Sequence, residues 1–150
     1  MSINEIQDEI IDEFSIFSDW MEKYEYIIDL GKQLPLINEA YKDESHLIKG
    51  CQSRVWLHAG LEADKVQFTA DSDAVITKGI IALLIRVLSG QPAETIAHAD
   101  LYFIDRVGLK EHLSPTRSNG LVSMVKQMKM YGLALSSKNS CANYKHWTYA

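Results

Sequence analysis

Cys51 lies in the run Lys49-Gly50-Cys51-Gln52-Ser53-Arg54, whose residue types suit sulfur chemistry. The thiolate is the nucleophilic form of cysteine, and an unperturbed thiol has a pKa of about 8.5, so reactivity at neutral pH depends on the surroundings. Gly50 gives the backbone freedom for a tight turn and leaves access to the sulfur. Lys49 and Arg54 favour the thiolate if the fold brings them close to it. Free cysteine also buries as a small hydrophobe, and the neighbouring residues alone leave both readings open. The second cysteine, Cys141, is far away in sequence. Two such thiols in a reducing compartment read as free rather than as a disulfide framework.

Other chemistries find fewer of the residues they need. A tetrahedral zinc site takes several Cys or His ligands at short spacing, and only His46 and Cys51 come close to that. An iron–sulfur cluster takes about four thiolate or equivalent ligands, which two cysteines do not supply. A Cys–His hydrolase would draw on His46, His58, His98 or His112, but no local signature marks one of them as the base. The eight glycines are scattered rather than gathered into a phosphate loop. The residue types alone therefore favour none of these chemistries. Two further segments stand out. Asp71-Ser72-Asp73-Ala74 reads as a set of helix caps, with Lys78 shortly after it. Leu113 to Gly120 gathers turn and cap residues around Arg117, which reads as an exposed arginine in a helix-entry turn.

The elements that must position these groups follow from periodicity. Ser2 and Glu5 form a capping-box pattern, followed by Ile6, Ile10, Phe14 and Phe17 at helical spacing. Asp19 and Glu22 repeat the box before Trp20, Tyr24, Ile27 and Ile28, and Gly31 suits a helix end with positive φ. Residues 36–50 read mostly as loop. Residues 54–60 and 66–70 alternate as strands, and the short connection between them predicts an antiparallel hairpin. Residues 74–89 are apolar nearly all round, which predicts a central buried helix stopped by Gly90. Pro92 opens a short helix, and residues 101–109 form an element of undetermined type. Ser118 or Asn119 is expected to cap a last helix reaching about Tyr131. The order predicts an α+β fold, with helices packed against a small antiparallel sheet.

With 150 residues, 47% hydrophobic and 23% charged, the chain fits one soluble domain. The expected division is a folded domain over 1–135 and a polar, mobile tail over 136–150. A formal charge of −5 disfavours general nucleic-acid binding, which needs a basic face. The start is acidic and no long apolar run follows it, so neither a signal peptide nor a membrane span is expected. The cytoplasm is the expected compartment.

Three segments together resemble one family. Gly50-Cys51-Gln52-Ser53-Arg54-Val55-Trp56 resembles the active-site segment of SufE-type sulfur acceptors. Asp71-Ser72-Asp73-Ala74, with Lys78-Gly79, resembles that family's hairpin-to-helix junction. Leu113-Ser114-Pro115-Thr116-Arg117-Ser118 and Gly120-Leu121 resemble its third motif, and Trp20 to Pro35 is similar to its N-terminal helix. The resemblance runs from about Phe14 to Leu135. It implies a SufE/IscU-like fold and a helper of a pyridoxal-phosphate cysteine desulfurase of the SufS type. It further implies that the chain accepts persulfide sulfur on Cys51, stimulates the desulfurase and passes sulfur to an iron–sulfur scaffold complex, with no metal or cofactor of its own. Gly50, Gln52 and Ser53 would shape the loop, Arg117 would support loop, thiolate or partner, and Asp73 and Lys78 would have lesser roles. A homodimer is compatible with the resemblance. Two rivals remain at this stage, a desulfurase activator that binds without using Cys51 and a metal or cluster scaffold. Cys141 has no counterpart in the family pattern.

Overall fold

Ser2 and Asp19 open the first two helices by satisfying backbone N–H groups that a helix start leaves unpaired. The computed structural model describes the backbone of residues 1–142 and the side chains of residues 1–136. In α1 (Ile3–Ser15), Ser2 Oγ accepts from the Glu5 N–H at 3.1 Å and Glu5 returns the bond to the Ser2 N–H at 2.9 Å. In α2 (Trp20–Lys32), Asp19 accepts from the Glu22 N–H at 2.9 Å, whereas the Glu22 carboxylate turns to the N–H and hydroxyl of Ser18. Gly31 does not end this helix with a positive φ, as its sequence position suggested. It lies inside α2, where the helix crosses Gly79 of the central helix so closely that a Cβ on Gly31 would stand 2.7 Å from the Gly79 nitrogen.

Residues 36–50 are mostly irregular, with single 3₁₀ turns at Glu39–Tyr41 and Glu44–His46. Strands β1 (Val55–Glu62) and β2 (Lys65–Ser72) form the expected antiparallel hairpin, each longer than its alternation indicated. Because Glu62 pairs with Lys65, the turn is the two residues Ala63-Asp64, and Ala63 carries a φ of 60°. A two-residue β3 (Gln91–Pro92) pairs with the start of β2, giving the sheet order β1-β2-β3.

The central helix α3 (Val75–Leu88) packs on this sheet and on α2, with Ile80, Ile81, Leu83, Leu84, Val87 and Leu88 all buried. Asp71, Ser72 and Asp73 do not cap it: the N-cap is Ala74, which has no side-chain oxygen to offer. Pro92 is the N-cap of α4 (Ala93–Ala97) rather than a residue of its first turn. The segment of undetermined type resolves into α5 (Phe103–Val107) and α6 (Leu109–His112), hinged at the left-handed Gly108. The last helix, α7 (Pro115–Ala142), starts earlier than the cap signals suggested. Its first turn is held by Ser114, whose Oγ accepts from the Arg117 N–H at 3.3 Å, so Ser118 and Asn119 are interior. It passes Tyr131 and enters the segment read as an irregular tail. The Cys141 side chain and residues 143–150 lie outside the described residues.

The core is continuous from α1 through the sheet to α7. One buried polar group is fully used: Gln7 donates to the Asp100 carbonyl and accepts from the Phe103 N–H, both at 3.0 Å, joining α1 to the α4–α5 connection. Among the described residues no helix is long and apolar enough to cross a membrane.

Candidate functional site

The run around Cys51 is a loop pinched at its base. Ile48 donates its N–H to the Val55 carbonyl at 2.9 Å, and Leu47 bridges Trp56 on the open edge of β1. Arg54, at the foot of the loop, is gripped by its backbone. Its N–H donates to the Asp73 carboxylate at 3.0 Å, and its carbonyl accepts from the Asp73 N–H at 3.2 Å and the Ser72 hydroxyl at 2.8 Å. The Asp71-Ser72-Asp73 run therefore fastens the loop to the sheet instead of capping α3. The loop turns at Gly50, where φ is +91° and a Cβ would collide with the Ser123 hydroxyl of α7. Both constraints call for glycine.

At the loop's apex Cys51 is half-buried, and its Sγ–H faces the Gly120 carbonyl at 3.6 Å. On one side lies a cavity of about 370 Å³, walled by Cys51, Gln52 and Ser53, by Thr77 and Ile80 of α3, and by the start of α7, including Arg117, Gly120 and Met124. On the other side the same three loop residues meet Lys49, Gly50 and Arg54 around a second space of about 450 Å³. The N-terminal halves of α3 and α7 thus share one cavity with Cys51. Gly120 is part of the reason: even a methyl group there would touch Cys51 Sγ at 3.7 Å.

The fold decides the electrostatics that the sequence left conditional. Burial pushes the Cys51 thiol above its ordinary range, and Lys49 and Arg54 do not offset it. Both cations are exposed, so their fields are screened by water. Burial thus favours the thiol form of Cys51 over the thiolate.

The other expected site residues separate into groups. Gln52, Ser53 and Arg117 share the cavity with Cys51. The exposed Arg117 guanidinium donates to the Tyr24 hydroxyl at 3.3 Å, linking the α7 start to α2. Gly50 and Asp73 shape the loop from its far side and its foot. Lys78 belongs elsewhere: it pairs with Asp71 at 3.2 Å, while Lys42 takes the other carboxylate oxygen at 3.1 Å and lies 5.1 Å from the Trp56 ring centre. Burial works against ionisation of Asp71, but hydrogen bonds from Lys42, the Ser72 N–H and Lys78 outweigh it and hold the carboxyl below its usual range. His58 stacks on Tyr41 with ring centres 3.7 Å apart on the sheet, away from the cavity. Among the described residues no group of three or more His, Cys, Asp or Glu is placed to hold a metal ion.

Sequence reasoning overlooked Thr77 and Ser123. Thr77 had a signal, as the one hydroxyl in a mostly apolar helix, but a helical pattern alone does not say which face meets the loop. Ser123 looked like any helix-surface serine until Gly50 was found packed against it.

Comparison with known proteins places residues 8–132 in the family model described as SufE, Fe-S metabolism associated domain. A SufE-like protein of Rhizobium etli is 42% identical over 127 residues, covering 81% of this chain and 86% of the relative. One from Rhizobium meliloti is 39% identical over 127 residues, covering 81% and 91%. A chloroplastic/mitochondrial SufE-like protein of Arabidopsis thaliana is 37% identical over 131 residues, covering 87% of this chain and 35% of that longer protein. A solution structure of a hypothetical protein from Thermus thermophilus superposes with a TM-score of 0.73 at 19% identity, over 88% of this chain and 96% of that one. At that identity the superposition speaks for the fold alone.

Proposed function

The chain belongs to the SufE family, linked to Fe–S metabolism, and on that premise we propose that it is a sulfur acceptor that relays persulfide sulfur through Cys51. One observation carries the reading: a thiol at the apex of a pinched loop, half-buried, opening on a cavity much larger than one sulfur atom. A nucleophile of this kind needs no neighbouring base if the sulfur donor already carries an activated S–S bond.

The transfer balances as thiol–persulfide exchange. The Cys51 thiolate attacks the outer sulfur of a persulfide on a cysteine desulfurase of the SufS type. A new S–S bond forms on Cys51, the donor's S–S bond breaks, and the electron pair leaves with the donor cysteine as a thiolate. The proton lost by Cys51 matches the one that thiolate regains, and no net oxidation occurs. The raised pKa of resting Cys51 implies that docking must change the sulfur's surroundings before attack. Gly50 is the residue on which the loop would turn. Release of the donor cysteine stimulates the desulfurase, and the stored sulfur passes to an iron–sulfur scaffold complex.

The test is incubation with L-cysteine and a cysteine desulfurase. Mass spectrometry should find one added sulfur on Cys51, and Cys51→Ser should abolish the stimulation. Full stimulation by that variant would mean that the chain activates the desulfurase by binding alone.

A further inference from the structure

The wall of the Cys51 cavity holds a hydroxyl that the fold leaves without a partner. Thr77, in the first turn of α3, is only 7% exposed and lines the cavity. Its Oγ1 makes no hydrogen bond to any described residue, and no wholly occluded polar side-chain atom among them lacks a partner. The Thr77 hydroxyl is therefore not wholly occluded, and its residue lines the cavity. Its donor and acceptor capacity is thus free for whatever occupies the cavity.

The surroundings define the partner this hydroxyl would take. The start of α3 carries no side-chain cap, so its first-turn N–H groups retain the partial positive charge of an open helix end. Arg117 borders the same cavity. Ile80 and Met124 add apolar surface to a wall that also carries Gln52, Ser53, Ser114 and Thr116, and this mixed lining suits a large, polarisable and weakly hydrated anion that accepts hydrogen bonds. A persulfide on Cys51 carries its outer sulfur about 2.05 Å beyond Sγ, and in its ionised form that atom is such an anion.

We propose that Thr77 is a positioning residue that holds the outer sulfur of a Cys51 persulfide inside this cavity, donating its Oγ1–H to the ionised sulfur. This rests on the acceptor reading above. It adds that storage is selective for the ionised persulfide, whose outer sulfur is then less open to attack by small nucleophiles.

Loading the full chain with inorganic polysulfide, and confirming one added sulfur on Cys51 by mass, tests this without a desulfurase. Cyanide then attacks the outer sulfur, releasing thiocyanate and the Cys51 thiolate, and the rate is followed against pH. Removing one hydrogen bond to an ionised group in Thr77→Val should raise the pH midpoint by about one unit and speed neutral-pH sulfur loss roughly tenfold. Thr77→Ser should restore both, and all three chains should melt alike. An unchanged midpoint and rate in Thr77→Val would overturn the proposal, leaving cavity water as the hydroxyl's partner. So would a Thr77→Ser chain that behaves like Thr77→Val. The acceptor reading fails separately, when the wild-type chain loads from polysulfide but not from a desulfurase with L-cysteine.

Discussion

Two glycine-to-alanine substitutions, Gly79→Ala in α3 and Gly120→Ala in α7, should have opposite effects although both sites are helix interiors. Alanine is favoured over glycine there by about 0.5–1 kcal/mol, because it restricts the unfolded chain. At Gly120 that gain should appear, since the new methyl meets Cys51 only at ordinary contact distance, with 3.7 Å to Sγ and 4.0 Å to Cα. At Gly79 the methyl would overlap the Ile27 carbonyl oxygen and approach the Ile27 carbonyl carbon at 2.7 Å and Cγ2 at 2.6 Å. A rotamer change can move Cγ2, but backbone atoms move only if α2 separates from α3. Overpacking costs about 1–3 kcal/mol and occasionally more, and a backbone neighbour puts this case at the upper end. The net expectation for Gly79→Ala is a loss of about 2 kcal/mol or more. For a chain of this size about 2–4 °C accompanies each kcal/mol. Gly79→Ala should thus melt roughly 5 °C or more below wild type, and Gly120→Ala about 2 °C above it. Thermal melts with urea unfolding at unchanged m would show this. A Gly79→Ala chain melting at or above wild type would refute the close α2–α3 crossing at Gly31 and Gly79.

Three further expectations follow from the site and its supports. Burial raises the Cys51 pKa, so the stability that the buried neutral thiol contributes is fully present below the free-thiol value of about 8.5 and lost as pH rises through the folded value. Melting temperature against pH should therefore fall more steeply on the alkaline side for wild type than for Cys51→Ser, and iodoacetamide labelling of Cys51 should be slow at neutral pH. Asp73→Ala removes the acceptor for the Arg54 N–H and should cost about 1 kcal/mol; hydrogen exchange should speed up at Arg54 and labelling at Cys51. Arg86 donates to both oxygens of Glu13, at 2.8 and 2.6 Å, and holds that carboxyl below its usual range. Stability from this pair is present above the ordinary glutamate value of about 4.3 and lost as pH falls through the lowered one. Both groups are partly in water, so Glu13→Gln should lose no more than about 1 kcal/mol at neutral pH and flatten the acid limb of the melting curve.

Much of the fold was readable from local pattern. Ser2 and Asp19 announce their helices, the alternation through Val55, Leu57, Val66 and Phe68 announces the hairpin, and the all-round apolar run after Ala74 announces the buried helix. These signals are readable because each depends on residues one or two turns apart. Errors arose where a residue had both a local and a distant use. Gly31 fits a helix end by its type but serves a helix crossing with Gly79. Asp71 to Asp73 fit helix caps by their position but bind Lys42, Lys78 and the backbone of Arg54. Ser118 and Asn119 resemble caps, yet Ser114 supplies the one that is used.

The same division runs through the site. Residue types raised Cys51 and its neighbour Gly50 as a nucleophile beside a turn, because those are properties of single residues, while Arg117 entered through the resemblance of its segment to a family motif. Only the tertiary structure decided how Cys51 is placed: half-buried at the apex of a pinched loop, with its Sγ on the Gly120 carbonyl and an open cavity beside it. It also decided that burial, and not Lys49 or Arg54, governs the Cys51 thiol, set Lys78 on Asp71 outside the cavity, and brought in Thr77 and Ser123. The physical reason is that desolvation, and contact between segments far apart in sequence, depend on which helix faces meet. That is set by packing the whole core at once and is written in no single stretch of the chain.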